Sequence, residues 1–222
     1  MGTCIEASTL NFLADLQGNN NREWFQQNRN RYELAFSNFY QLVLSLIAGI
    51  GSFDKNLGSP DPKDCIFRIY RDVRFSPNKM PYKQNFGAYV AKGGKKSNLA
   101  GYYIHIEPHE SFAAGGIYMA PSDIMRRVRE DIYDYPEDFL SIVNSKEFRG
   151  KFSFEDAESL GKVPRGFEAG TAVDEYLKLK NLIPSISFSD SSIQKETLVD
   201  EVLQVYKALQ PLVGFINQAI NQ

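Results

Sequence analysis

Between residues 68 and 83 the chain reads Arg68-Ile-Tyr-Arg71-Asp72-Val-Arg74-Phe75-Ser-Pro-Asn78-Lys79-Met-Pro-Tyr82-Lys83, and these are the residues best equipped for chemistry. Guanidinium groups fork onto carboxylate or phosphate oxygens two bonds at a time, and lysines add mobile point charges. Asp72 can orient the flanking arginines, and the Tyr82 hydroxyl can donate to a bound anion. Arg68, Arg71, Asp72, Arg74, Lys79, Tyr82 and Lys83 are therefore the candidate ligand site, and no residue among them is marked as catalytic. If a strand runs through the stretch, Arg68, Tyr70, Asp72 and Arg74 share one face, while Arg71 shares the other with Phe67 and Ile69. Convergence of all the cations then requires a bulge near Arg71-Asp72. The bland alternative is a structural network of Arg68, Asp72 and Arg74 that pins a loop.

Charge supports the anion reading. The 222 residues carry a net charge of −2. From Lys63 to Lys96 there are nine Lys or Arg against two Asp, so the rest of the chain holds 25 acids against 16 cations. A basic segment in an acidic chain points to an anionic partner. The same stretch interleaves Phe67, Tyr70, Phe75, Tyr82, Phe86 and Tyr89, so nucleic acid is the alternative partner, with rings for stacking. A pI of about 5.8 argues against it. A protein-interaction module is the third possibility.

Other chemistry is thinly represented. Cys4 and Cys65 are too few for a disulfide framework, and with His105 and His109 as the only histidines no metal centre is expected. No Walker loop, dinucleotide glycine pattern or nucleophile elbow appears, so no cofactor is indicated. His105 shares a strand face with Tyr103 and Glu107 and reads as a satisfied structural group rather than a base. Glu130-Asp131 and Glu137-Asp138 read as solvated helix faces. No run of roughly 18 uninterrupted apolar residues is present, and no basic start precedes an apolar segment. A cytoplasmic protein with no membrane partner is expected, its oligomeric state open.

The elements that must position the basic stretch are helical at both ends. Ser8 or Thr9 can cap a first helix ending near Gly18. A second, long helix is predicted from Trp24 and Phe25 through Ile47, with Gly49 and Gly51 ending it. Phe53 to Lys63 reads as a loop, Cys65–Tyr70 and Asn85–Ala91 as strands, and Lys92 to Asn98 as a basic loop. Gly101–Glu107 and Ser111–Met119 form the clearest hairpin, turning at Pro108-His109-Glu110. Helices start at Pro121 and Pro136, an irregular stretch spans 148–170, and Ala172–Lys180 is a short helix. Leu182–Phe188 is a strand, and a last helix runs from Ile193 to Ile220 with Pro211 as a kink or restart. The architecture expected is α+β in one domain, residues 1–222: a mostly antiparallel sheet with amino- and carboxy-terminal helices packed on it.

The arginine-spaced string closely resembles the defining motif of the family called domain of unknown function 2461. Asn20-Asn21-Arg22-Glu23-Trp24-Phe25 after Phe12-Leu13, Gly101 to Ile106, Val163-Pro164-Arg165-Gly166 and Leu177 to Lys180 are similar to further passages of it. The resemblance implies a bacterial-type domain with no established activity and supplies no catalytic residues. The reading is a small enzyme or ligand-binding domain with a basic site for a phosphorylated or carboxylated molecule.

Overall fold

The computed structural model of the chain describes residues 3–155 and 157–222. Met1, Gly2 and Asp156, the last inside the stretch expected to be irregular, lie outside the described residues. Helix α1 (Ala7–Gly18) buries Leu10, Phe12, Leu13 and Leu16. Its N-cap is Glu6 rather than Ser8 or Thr9, and the Thr9 hydroxyl instead donates to Asn38.

The predicted long helix is two helices, α2 (Arg22–Gln27) and α3 (Arg29–Phe53). Asn21 caps α2 by accepting from the Trp24 N–H, and the Asn28 amide closes it by donating to the Trp24 carbonyl. Asparagine competes with the helix for its own backbone groups, so a break falls at Asn28. Helix α3 then runs straight through Gly49 and Gly51. A Cβ at Gly49 would sit 2.3 Å from Leu203 of the last helix, so this glycine permits a close helix crossing rather than ending a helix. Trp24 is partly buried, stacked on Phe12 at 6.0 Å. Among the described residues α3 is the one helix long and apolar enough to cross a membrane, with a mean hydropathy of 1.5 over its best window, 39% of which is buried inside the fold.

Helix α4 (Pro62–Cys65) takes the end of the expected loop and Cys65, the first residue of the expected strand, because Asp61 caps the Lys63 N–H and Pro62 starts the turn. Beyond α4 the chain forms isolated bridges, Ile66 with Ala88 and Tyr70 with Tyr82, instead of a continuous strand. Strands β1 (Phe86–Val90), β2 (Gly101–Ile106) and β3 (Ser111–Gly116) come next, with a 3-10 turn at Gly94–Lys96 inside the basic loop. Then come α5 (Ser122–Asp134), α6 (Pro136–Val143), α7 (Lys146–Arg149), α8 (Asp174–Leu177), β4 (Ser185–Phe188), α9 (Asp190–Ile193) and α10 (Leu198–Asn221). Pro211 lies within α10, which neither stops nor restarts there.

The four strands are antiparallel in the order β1-β2-β3-β4. Alternation gives the sheet two unlike faces. Phe86, Ala88, Val90, Tyr102, Ile104, Ile106 and Ala113 are buried on the face that packs against α3 and α10. Register places Tyr89, Tyr103, Ala114 and Ser185 in one row of the opposite face, and Gly87, His105, Phe112 and Ser187 in the next. The fold is the expected α+β arrangement, and its second sheet face carries Tyr89, Tyr103, His105 and Phe112 beside the small Gly87, Ala114, Ser185 and Ser187.

Candidate functional site

The segment from Ile66 to Asn85 is an arm that folds back on itself beside β1. Arg71 N–H donates to the Pro81 carbonyl and Lys83 N–H to the Ile69 carbonyl, each on one side of the Tyr70–Tyr82 bridge. That pattern turns the Tyr82 N–H and C=O away from Tyr70. The Asn20 side chain receives them: its Oδ1 accepts from the Tyr82 N–H and its Nδ2 donates to the Tyr82 carbonyl, both at 3.1 Å. The Tyr82 ring is buried and stacked on Phe25 with centroids 4.0 Å apart, and burial pushes its hydroxyl pKa up. Tyr82 anchors the arm to α1 and α2.

The cations of the arm divide into two groups. Arg74 and Asp72 pair bidentately at 2.7 and 3.0 Å on the exposed surface, which holds the Asp72 carboxyl below its usual range. Lys79 donates to the Val73 carbonyl and Arg71 to the Met80 carbonyl, so both serve the loop's own backbone. Arg68 and Lys83 do otherwise. They line one open groove of about 580 Å³ with Lys63, Lys95, Lys96, Phe67 and Tyr32. None of these five cations is ion-paired among the described residues. Lys83 sits 5.0 Å above the Phe67 ring, and its ammonium pKa is lowered by burial and then by Arg68. Lys95 and Lys96 arrive because Gly94, at φ +74°, lets the loop close on α4, where the Lys95 ammonium donates to the Lys63 carbonyl at 2.8 Å and so stays at the groove edge; a Cβ at Gly94 would lie 2.6 Å from the Asp64 carbonyl oxygen.

Phe67, Lys83, Lys95 and Lys96 also form one lip of a larger cleft of about 750 Å³. Its floor is the second sheet face: Tyr89, Tyr103, His105 and Phe112, with Tyr118 and Met119 on the far side. Such a volume suits a small molecule. His105 stacks on Phe112 with centroids 4.7 Å apart and planes at 14°. Its Nε2 lies 2.8 Å from a Glu107 oxygen, and its Nδ1 lies 3.0 Å from the Tyr103 hydroxyl and 3.3 Å from the Asn85 amide nitrogen. Gln17 holds the other Glu107 oxygen at 3.3 Å. Burial, then the Glu107 charge, pushes the Tyr103 hydroxyl up to about 12. Tyr89 is also raised by burial, its single hydroxyl proton shared between the Leu99 and Gly116 carbonyls at 2.8 and 3.0 Å.

Of the seven residues singled out in the sequence, the structure therefore brings Arg68 and Lys83 together. It assigns Arg71, Asp72, Arg74 and Lys79 to loop contacts and Tyr82 to the core. Sequence reasoning did not place Lys95, Lys96, Phe67, Tyr89, Tyr103, His105 and Phe112 around one cleft. Part of the signal was present: Tyr103, His105 and Glu107 alternate with the apolar Tyr102, Ile104 and Ile106, which marks a second, polar sheet face. No group of three or more His, Cys, Asp or Glu able to hold a metal ion occurs among the described residues.

A family model described as a conserved hypothetical protein, DUF2461, matches residues 8–215. No curated protein and no solved structure matches the chain.

Proposed function

The chain belongs to the DUF2461 family, and from that premise we propose that it takes a ring-bearing phosphorylated or carboxylated small molecule in the cleft on the second sheet face. The observation that carries this reading is the meeting of Lys83, Lys95 and Lys96 with an aromatic floor, while Arg68 and Lys63 line the adjoining groove, and none of the five is ion-paired among the described residues. The anion lies against Lys83, Lys95 and Lys96, with Arg68 behind them, and the ring lies between Phe67 and Phe112. Half-burial, and then Arg68, make the charged form of Lys83 more costly, and a bound anion offsets that cost by supplying a counter-charge. A half-buried cation such as Lys83, facing an apolar surface, is a binding device rather than a solubility device, and the exposed Lys63, Arg68 and Lys96 add charge around it.

Calorimetric titration with inorganic phosphate, phenyl phosphate, benzoate and a short single-stranded oligothymidylate tests the reading. Phenyl phosphate is expected to bind about tenfold more tightly than inorganic phosphate, the increment for burying roughly one ring face. Its affinity falls with added salt, and about tenfold in Lys83→Ala, which removes one charge contact from a partly buried site. Arg74→Ala, whose guanidinium is already matched by Asp72, leaves it unchanged. Absence of phenyl phosphate and benzoate binding at millimolar concentration, or equal losses in both variants, overturns the proposal. Tight oligothymidylate binding without phenyl phosphate binding replaces it with the nucleic-acid reading.

A further inference from the structure

The cleft floor holds a chain of polar groups that anion binding does not require. Glu107, His105 and Tyr103 are linked end to end, the histidine and glutamate side chains only 15% and 17% exposed. The tautomer of His105 follows from its neighbours. The Glu107 carboxylate only accepts, so the ring proton sits on Nε2 and Nδ1 of the neutral ring is the acceptor, which the Asn85 amide facing it at 3.3 Å matches. The Tyr103 hydroxyl then donates to the same Nδ1. The stack on Phe112 and the Gln17 contact to Glu107 fix the histidine plane and the carboxylate. Gly87 completes the arrangement: a Cβ there would lie 2.5 Å from the Tyr103 hydroxyl oxygen. Strand β1 thus leaves room for that oxygen where any other residue would intrude.

We propose that Glu107, His105 and Tyr103 are a proton relay that makes the Tyr103 hydroxyl a reactive group toward a ligand in the cleft. In the forward step a hydroxyl of the ligand transfers its proton to the Tyr103 oxygen while the Tyr103 proton passes to Nδ1 of His105. The bonding pair stays on the ligand oxygen, and the resulting imidazolium is held by the Glu107 carboxylate. The reverse step returns both protons. Orientation of a histidine by a carboxylate, with a hydroxyl on its other nitrogen, is the logic of an activated nucleophile or base. Without such help Tyr103 is a poor reactant, since burial raises its pKa to about 12. The relay deepens the ligand-site reading and rests on it, for the ligand it serves occupies the same cleft.

Benzenesulfonyl fluoride tests the relay without calling on the cationic lip, because the probe carries no charge. Attack forms a bond from the Tyr103 oxygen to sulfur, fluoride leaves with its bonding pair, and the hydroxyl proton goes to His105. Peptide mapping is expected to find Tyr103 modified ahead of the other eleven tyrosines, including Tyr118, which is 61% exposed on the same cleft. The rate falls about a hundredfold in Glu107→Gln and in His105→Gln, the scale of a lost acid–base partner. Should either variant fail to fold, long-range proton–nitrogen spectra of the wild-type protein decide the matter, with only two histidines to resolve. The expected pattern places the His105 proton on Nε2, and Tyr103→Phe moves the Nδ1 resonance. A proton on Nδ1, or labelling of Tyr103 no faster than Tyr118, overturns the relay and leaves a self-satisfied polar cluster. Phenyl phosphate binding without Tyr103 labelling spares the ligand site and removes the relay. Labelling without phenyl phosphate binding spares the relay and removes the anion.

Discussion

Asn20 substitutes for a missing strand, and its removal has a calculable consequence. Tyr82 faces away from its bridge partner, and two hydrogen bonds of 3.1 Å to one amide side chain satisfy its N–H and C=O. The residue is only 3% exposed, so water has little access to replace them. A buried backbone group left without a partner costs about 1–3 kcal/mol, so Asn20→Ala is expected to cost about 2–6 kcal/mol for the pair. For a chain of this length each kcal/mol moves the melting temperature by about 2–4 °C, giving a fall of about 8–16 °C for a mid-range loss. Asn20→Asp keeps the acceptor for the Tyr82 N–H but sets a carboxylate oxygen against the Tyr82 carbonyl, so it is expected to be no better than alanine. Thermal melts followed by circular dichroism give the magnitude. Hydrogen exchange gives the location, because the Arg71 and Lys83 amides that brace the bridge should exchange faster before the sheet amides do. A melting temperature within about 2 °C of wild type, a change below about 1 kcal/mol, would show that water or a neighbour replaces Asn20, and the clamp argument would fail.

Three further outcomes are expected. Gly116→Ala should lower stability by about 3 kcal/mol or more, because φ is +136° and the new Cβ would fall 1.9 Å from the backbone oxygen of Leu182; a near-neutral urea midpoint contradicts this. Under native conditions a thiol reagent should react quickly with Cys4 and slowly with Cys65, whose thiol is buried and pushed up to about 11, so that little thiolate exists below that pH; two equally fast thiols contradict this. Asp72→Asn should leave the melting temperature unchanged at neutral pH, since the Asp72–Arg74 pair is exposed to solvent, and a clear loss would mean that the pair supports the arm after all.

Much of the scaffold was legible from local rules. The hairpin of β2 and β3, the helices opening at Pro121 and Pro136, and the α+β class come from alternation, turn chemistry and helical periodicity, which act over a few residues. The errors have local causes of another kind. Asn28 competes for helix carbonyls, Asp61-Pro62 starts a helical turn just ahead of strand formers, and Gly49 looks like a stop until Leu203 is seen against it.

The sequence by itself determined that a basic, aromatic segment existed and which faces of β2 were apolar and polar. Only the tertiary structure decided which cations share a site. Arg71, Arg74 and Lys79 are cations like Arg68 and Lys83, but their partners are Met80, Asp72 and Val73, groups the folded-back arm supplies at short range. Lys95 and Lys96 join Lys83 because Gly94 turns their loop over α4, and β-sheet register brings Tyr89, Tyr103 and Phe112 from three strands into one floor. Periodicity states which way a side chain points from its own strand. Which other side chains it meets there depends on pairings between residues far apart in the chain, and these exist only once the sheet has closed.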